Sequence, residues 1–250
     1  MTIMTEIGLL FRRRLMEQIR SPIWLFMGLT TPLLYLALFA PLLKGIPAMA
    51  EAGIANVFVP GLLALFALSS STGIGWIIIH ELNAGVVERF RVTPVSRFAL
   101  LMGNVLKDVV MFLLPALLVI GVAGFAGFDI HAGGLAVLLV LLSLLAAMVS
   151  AVSGSLGLIL REIGTLAAVV TGLQLPITLL AGVLLPISFG PRWLQVLAHL
   201  NPLYYVVEAS RLLAGGVIWD GKVLLAFAVI GSLLAITLVW ATNVYKKAVA

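Results

Sequence analysis

The sequence predicts an all-α membrane protein with six transmembrane helices, an N-terminal amphipathic interfacial helix and an outer dipping helical hairpin after the fifth span. The first observation is composition: 62% of the residues are hydrophobic and 10% are charged, against about 25% charged in soluble chains. The second is that uncharged stretches reach the ~20 residues that cross the hydrocarbon layer. Because lipid offers the backbone no hydrogen-bond partners, such stretches must be helical. The ~10-residue alternating strands of membrane barrels do not fit.

The predicted spans are six uncharged stretches separated by charged or proline-containing segments. They are Ile23–Leu43, Ile54–Ile79, Val109–Phe128, Leu135–Leu160, Ile163–Ser188 and Val223–Tyr245. The fifth stretch is longer than one straight crossing requires. Pro176 and Pro186 therefore predict a kink in it.

The third observation is the distribution of basic residues, which predicts the orientation. Eleven of the fifteen Lys and Arg residues lie in segments on the side of the N-terminus, and four lie on the opposite side. The four are Lys44, Arg192, Arg211 and Lys222. Since cytoplasmic segments carry the excess of positive charge, both termini are predicted to be cytoplasmic.

The chain is predicted to form a single transmembrane domain over residues 1–250, with non-spanning pieces at 1–22, 80–108 and 189–222. The first piece is an amphipathic helix over Ile3–Arg20, which Ser21-Pro22 ends. Its apolar residues recur at three- and four-residue spacing: Ile3, Ile7, Leu10, Phe11, Leu15 and Ile19. Its opposite face carries Glu6, Arg13, Glu17 and Arg20. The basic residues singled out in this helix are Arg12, Arg13, Arg14 and Arg20.

The second piece, residues 80–108, is the largest charged segment. A helix is predicted over Glu81–Val92, broken at Thr93-Pro94, and Ser96 is placed to cap a new helix. Glu81, Glu88, Arg89 and Arg91 mix both signs of charge. Such a mixture fits a surface that binds a partner protein, and it also fits a solvated loop end.

The third piece, residues 189–222, is predicted to lie on the outer side. A helix is expected over Leu203–Leu213, with Glu208 and Arg211 three apart on one face. We expect this helix to dip into the outer leaflet. The alternative is a seventh span, which would bury both charges and move Lys246 and Lys247 to the outside.

Functional classes follow from what the spans lack. No charged residue falls within the predicted spans, which argues against side-chain coupling to ions, so the energy for any transport must come from a partner. The absence of cysteine excludes disulfides and thiolate metal sites. Basic residues at span ends are not a nucleic-acid signal. Gly216–Val223 nearly matches a phosphate loop but lacks its final Ser/Thr, and a turn is predicted there.

Two alternatives remain at this stage. Asp129, His131 and His199 on outer loops could serve an intramembrane enzyme that acts on lipid, although no HExxH-type spacing is present. The second alternative is an ion-coupled membrane protein or one that serves only as a scaffold.

Two polar patterns lie within the spans. Thr171, Gln174 and Thr178 form a stripe on the fifth span that would line a substrate path or bond a neighbouring helix. Small residues four apart favour close helix packing, within one subunit or between two. These pairs are Ser69 with Gly73, Ser150 with Gly154, and Ser153 with Gly157.

Two stretches carry a family resemblance. One is Glu88-Arg-Phe-Arg-Val-Thr-Pro-Val-Ser-Arg97, a charged helix followed by Thr-Pro and a Ser-Arg pair. The other is Asn201-Pro-Leu-Tyr-Tyr-Val-Val-Glu-Ala-Ser-Arg211. At these places in the topology, the chain resembles the permease subunit of a type-two ATP-binding-cassette exporter. The resemblance is to the drug-resistance and nodulation-factor branch and covers essentially the whole chain.

The resemblance implies a bacterial inner-membrane complex of two identical permease copies above two cytoplasmic ATPases that bind ATP and Mg. This chain would itself hold no cofactor, metal or catalytic residue. A coupling helix would open at Glu81, and the N-terminal helix would transmit its movement. The first, second and fifth spans would border the path. The outer gate would comprise Asn201, Pro202, Tyr204, Glu208 and Arg211.

An amphipathic drug-like or natural-product substrate is expected. Apolar spans and the lack of charged binding residues favour that class. A lipid-linked saccharide or polysaccharide is the alternative.

Overall fold

The computed structural model describes residues 3–20, 30, 33–35, 37–38, 54–85, 96–125, 127–183, 187 and 190–249. These residues form helices joined by turns, with no strand among them. The helices are α1 Ile3–Ile19, α2 Ile54–Ser70, α3 Ile74–Asn83, α4 Arg97–Phe125, α5 Ala132–Leu160, α6 Ile163–Leu180, α7 Arg192–Ala198, α8 Pro202–Ala214 and α9 Gly221–Val249. A single 3-10 turn, Ser71–Gly73, joins α2 to α3.

Five of the described helical stretches are long and apolar enough to cross a membrane. They are Ala55–Asn83, Phe98–Phe125, Ala132–Leu160, Ile163–Leu180 and Gly221–Lys247. These five coincide with the second to sixth predicted spans, which makes the chain a multi-pass membrane protein. The predicted first span, Ile23–Leu43, lies outside the described residues except for helical positions at 30, 33–35 and 37–38.

Three predicted boundaries are wrong. Helix α4 begins at Arg97 instead of Val109, so residues 97–108 of the predicted loop segment belong to the third long helix. A new helix was predicted to begin at Glu81, but Glu81 lies in the last turn of α3, which ends at Asn83. Gly85 follows this end at a φ of 67°. Helix α6 ends at Leu180 instead of Ser188, just before Gly182 at a φ of 66°. Glycine adopts this left-handed conformation readily and commonly ends helices.

Helix α5 forms the centre of the bundle. It packs against α2, α3, α4, α8 and α9. Its residues Leu138, Leu141 and Leu142 are fully buried in the larger hydrophobic cluster. A smaller cluster at the end of the bundle beside α1 contains Ile78 and Leu101.

The helix predicted at Leu203–Leu213 is observed as α8, whereas its location on the outer side stays a prediction. Its face with Leu203, Val206 and Val207 is buried in the larger cluster. At thirteen residues, the helix is about 20 Å long, which is too short to span a bilayer. The seventh-span alternative is therefore wrong.

One small-residue pair packs within the subunit. A Cβ added at Gly157 of α5 would lie 2.6 Å from the carbonyl oxygen of Gly75 on α3. The hydroxyl of Ser153 in α5 accepts a 3.2 Å hydrogen bond from the Gly75 N–H. The Ser69–Gly73 pair makes no such contact, because the chain turns into the 3-10 segment and a Cβ at Gly73 would meet nothing within 4 Å.

Gly134→Ala is expected to lower the free energy of unfolding by about 1–3 kcal/mol. A Cβ at Gly134 would overlap the carbonyl oxygen of Leu213, where α8 packs on α5. Gly133→Ala is the matched control, since its nearest neighbour is the flexible Cδ1 of Ile218 at 3.4 Å. Thermal unfolding in one detergent compares them, and an equal loss in both variants would contradict the packing argument.

Candidate coupling site and outer hairpin

An ion pair joins α1 to the end of α3. Nη1 and Nη2 of Arg14 donate to Oε1 and Oε2 of Glu81 at 2.5 and 2.6 Å. The side chains are 10% and 14% exposed. Burial by itself lowers the pKa of Arg14, but the hydrogen bonds and charge of Glu81 outweigh it and raise that pKa above its ordinary value. A bidentate pair of this kind fixes both the distance and the orientation of the two helices.

A second contact holds α1 against the start of α4. The Glu6 carboxylate accepts a 2.9 Å hydrogen bond from the backbone N–H of Ser96, the residue before α4. Free N–H groups at a helix start favour an acidic partner. Leu10 and Phe11 pack over Gly103, where an added Cβ would lie 2.9 Å from the Cβ of Leu10. Glu6, predicted on the polar face of α1, is half-buried, and its carboxylate contacts the start of α4.

The other basic residues of α1 point away from this junction. Arg12 and Arg13 are exposed, and Arg13 pairs with Glu17 at 3.0 Å on the surface. Arg20 is exposed in the turn after α1. Glu88, Arg89 and Arg91 lie outside the described residues. Of the eight residues assigned to the coupling segment and the N-terminal helix, the described structure therefore brings Arg14 and Glu81 together.

A buried charge cluster lies within α4 and was missed by sequence reasoning. Nζ of Lys107 is 2.5 Å from Oδ1 of Asp108, and both side chains are 5% exposed. The hydroxyl of Ser150 on α5 donates to Oδ2 of Asp108 at 2.5 Å. The sequence signal was two adjacent opposite charges directly before an uncharged stretch. The predicted third span Val109–Phe128 is free of charge, but α4 extends in front of it, and this extension carries a paired lysine and aspartate.

Asn201 and Pro202 build the start of α8. Oδ1 of Asn201 accepts from the N–H of Leu203 at 3.0 Å, and its Nδ2 donates to the carbonyl oxygen of Ile177 at 2.6 Å. Pro202 takes the first helical position, where its missing N–H is not needed. The cap therefore also ties α8 to the end of α6.

Arg211 joins three segments of the chain. Its Nη1 contacts Glu208 at 3.2 Å, its Nη2 donates to the carbonyl oxygen of Gly182 at 2.6 Å, and its Nε donates to that of Val57 at 3.3 Å. Burial lowers the pKa of Arg211, and the charge of Glu208 opposes this. The guanidinium thus connects the start of α2, the turn after α6 and the middle of α8.

Tyr204 belongs to an aromatic group at the start of α8. Its ring centroid is 5.0 Å from that of His199 and 5.5 Å from that of Tyr205. Burial raises the pKa of the Tyr204 phenol. The Tyr205 hydroxyl donates to the carbonyl oxygen of His199 at 2.8 Å. The residues predicted to form the gate lie in α8 or at its N-cap, and their role as a gate stays a prediction.

The polar stripe of α6 lies on a sparsely covered helix. Thr171 is exposed, whereas Gln174 and Thr178 are half-buried. Its assignment to a substrate path stays a prediction.

Asp129 and His131 have partners within the fold. Asp129 and Asn56 exchange two hydrogen bonds, of 2.7 and 3.0 Å. Nδ1 of His131 lies 3.2 Å from the carbonyl oxygen of Ala214. Within the described ranges, no three His, Asp or Glu side chains converge in a way that could hold a metal ion.

These features define the class as a multi-pass, all-helical membrane protein whose first helix is braced against the end of a spanning segment. Residues 5–214 match the family described as ABC-2 type transporter, and the chain belongs to this family of membrane transport subunits.

Three relatives illustrate the match. The transport permease ycf38 of Cyanophora paradoxa is 30% identical over 86% of this chain and 76% of its own length. The ycf38 permease of Pyropia yezoensis is 26% identical over 88% of this chain and 77% of its own length. The daunorubicin resistance ABC transporter permease protein DrrB1 of Streptomyces coeruleorubidus is 24% identical over 83% of this chain and 75% of its own length.

Proposed function

We propose that this chain is the permease subunit of an ATP-driven exporter that moves an amphipathic drug-like or natural-product molecule out of the cytoplasm. The observation that carries the proposal is the match of residues 5–214 to the ABC-2 type transporter family. The name of the daunorubicin resistance relative supports the substrate class and the drug-resistance branch.

The proposed complex contains two copies of this chain and two cytoplasmic ATPases that bind ATP and Mg. It lies in a bacterial inner membrane with both termini cytoplasmic. The buried acids support an external source of energy. Asp108 is paired with Lys107 and Ser150, and Glu81 is paired with Arg14. Because each carboxylate already has a cationic partner, neither is a free carrier for a coupling ion.

Coupling is proposed to pass through the junction of α1 and α3. Both carboxylate oxygens of Glu81 are bound by Arg14, so Glu81 acts as an internal brace. The direct contact with the ATPase is then proposed for the segment that contains Glu88, Arg89 and Arg91. Movement of that segment would carry α1 and α3 as one body and shift the equilibrium between closed and open bundles.

On the outer side, the hairpin of α7 and α8 is proposed to close the path. Arg211 supports this role, because its contacts with Gly182 and Val57 hold α8 to the ends of α6 and α2. The stripe of Thr171, Gln174 and Thr178 is proposed to face the path between the two copies.

Co-reconstitution tests this function. The chain and the ATPase encoded beside it are purified together and placed in vesicles, and ATP-dependent movement of daunorubicin and related amphipathic compounds is measured. Transport is expected with ATP, and none is expected when the phosphate-loop lysine of the ATPase is replaced. Uphill transport by this chain without the ATPase would overturn the proposal.

A further inference from the structure

An open cavity of about 230 Å³ lies between the start of α4 and the end of α9. It is lined by Phe98, Leu238, Val239, Thr242, Asn243 and Lys246. Five of these residues lie on α9, and positions 239, 242, 243 and 246 share one face because they are spaced at three and four. The cavity is therefore a groove along one helix, closed at its side by Phe98.

The groove is apolar at one end and positively charged at the other. Leu238 and Val239 are apolar and mark one end, while Lys246 marks the other. Lys246 follows Leu238 by eight positions, a rise of about 12 Å along the helix. Lys246 is exposed, and no carboxylate of the described residues pairs with it. One end thus offers an unpaired cation and the other an apolar wall.

Two polar side chains lie between these ends. Asn243 is exposed and its amide can donate a hydrogen bond. The Thr242 hydroxyl donates to the carbonyl oxygen of Leu238 at 2.7 Å, so its oxygen remains as an acceptor. A ligand that fits has a negative group for Lys246 and Asn243, a hydroxyl for Thr242 and a hydrocarbon chain for Leu238 and Val239.

We propose that this groove binds one anionic phospholipid of the phosphatidylglycerol type. Its phosphate lies at Lys246 and Asn243, and an acyl chain lies along Val239. The helix containing Lys246 is a candidate span that ends at Lys247, which puts the cation at headgroup level and the apolar end within the hydrocarbon. Basic pockets between helices at a membrane surface are suited to acidic headgroups. This site does not depend on the transport assignment.

The test uses the full-length chain in detergent, titrated with phosphatidylglycerol or phosphatidylcholine and followed by native mass spectrometry. Wild type is expected to retain one phosphatidylglycerol in preference to phosphatidylcholine. Lys246→Gln is expected to weaken the binding of phosphatidylglycerol about fivefold, the effect of one basic residue near a membrane surface. Val239→Trp is expected to fill the groove and exclude the retained lipid of either type.

Lys247→Gln is the matched control, because this neighbouring lysine is exposed and does not line the groove. It is expected to change the affinity less than twofold. An equal loss in both lysine variants would mean attraction by general positive charge and would overturn the site. Displacement of the lipid by inorganic phosphate would assign the groove to a free anion, which also overturns it.

A second copy of the chain is the remaining possible occupant. Val239→Cys places a single thiol in a chain that has no other cysteine. It is expected to form no disulfide between two copies under oxidising conditions in phosphatidylglycerol vesicles. Efficient disulfide formation between two Val239→Cys copies would make the groove a contact between subunits and overturn the lipid site.

Discussion

Replacing Arg14 by alanine is expected to lower the free energy of unfolding by about 3 kcal/mol and to abolish ATP-driven transport. The change leaves the Glu81 carboxylate, which is 14% exposed, without the guanidinium that donates to both of its oxygens. Removal of one partner from a buried ion pair is strongly destabilising, because the remaining charge keeps its desolvation penalty. Thermal unfolding in detergent and transport in vesicles with the ATPase measure the two effects.

Arg13→Ala provides the matched control. Arg13 precedes Arg14 on the same helix, but its pair with Glu17 is at the surface, with side chains 51% and 50% exposed. Exposed pairs contribute about 0–1 kcal/mol, so stability and transport are expected to stay close to wild type. If Arg13→Ala and Arg14→Ala behave alike, the effect would come from lost positive charge on α1 and the brace would be rejected.

Exchange of the two charges separates the brace from a partner contact. Arg14→Glu and Glu81→Arg are each expected to inactivate the protein, since each buries two like charges together. The double variant is expected to regain part of both stability and transport. Rescue stays incomplete because Glu17 lies 3.6 Å from Arg14 and would then face another carboxylate. A double variant as defective as the singles would instead assign Glu81 a contact outside this chain.

Much of the architecture follows from hydrophobic length and periodicity. Spans of 18 residues or more without charge predict the positions of α2, α4, α5, α6 and α9, because in lipid only helices satisfy every backbone group. Asn201-Pro202 correctly marks the start of α8, since the amide caps the helix and proline needs no donor. These features depend on residues close together in the chain, and they can therefore be predicted from a single sequence.

The errors arise where a distant partner decides the outcome. The start of α4 was placed too late because Lys107 and Asp108 were taken as a helix-flanking charged segment, whereas their mutual pairing and Ser150 allow burial. By contrast, the end of α6 had a local signal that the span prediction did not use, because Gly182 takes the left-handed conformation that commonly ends helices.

The inward position of Arg14 also had an unused local signal. It follows Leu10 and Phe11 by four and three residues and so shares their face of α1. Its partner, Glu81, is 67 positions away, and no periodicity links the two.

Asp108→Asn is expected to lower the free energy of unfolding by about 3 kcal/mol while changing almost no volume. It leaves the Lys107 ammonium, 5% exposed, buried against a neutral amide, and an uncompensated cation in a low-dielectric site is costly. Lower abundance in the membrane and a lower unfolding temperature are the measurements. Wild-type stability in Asp108→Asn would show that Lys107 does not depend on this carboxylate.

The double variant Lys107→Met with Asp108→Asn tests whether the ion pair serves stability alone or also takes part in transport. It removes both charges, keeps similar side-chain volumes and leaves an amide that can still accept from Ser150. Replacement of a buried ion pair by neutral groups is often close to neutral for stability, so most of the stability lost in Asp108→Asn is expected to return. If the pair serves packing alone, ATP-driven transport returns with it. A double variant that is folded and abundant but inactive would show that these charges take part in transport, and the argument that both buried acids are internally neutralised braces would then fail.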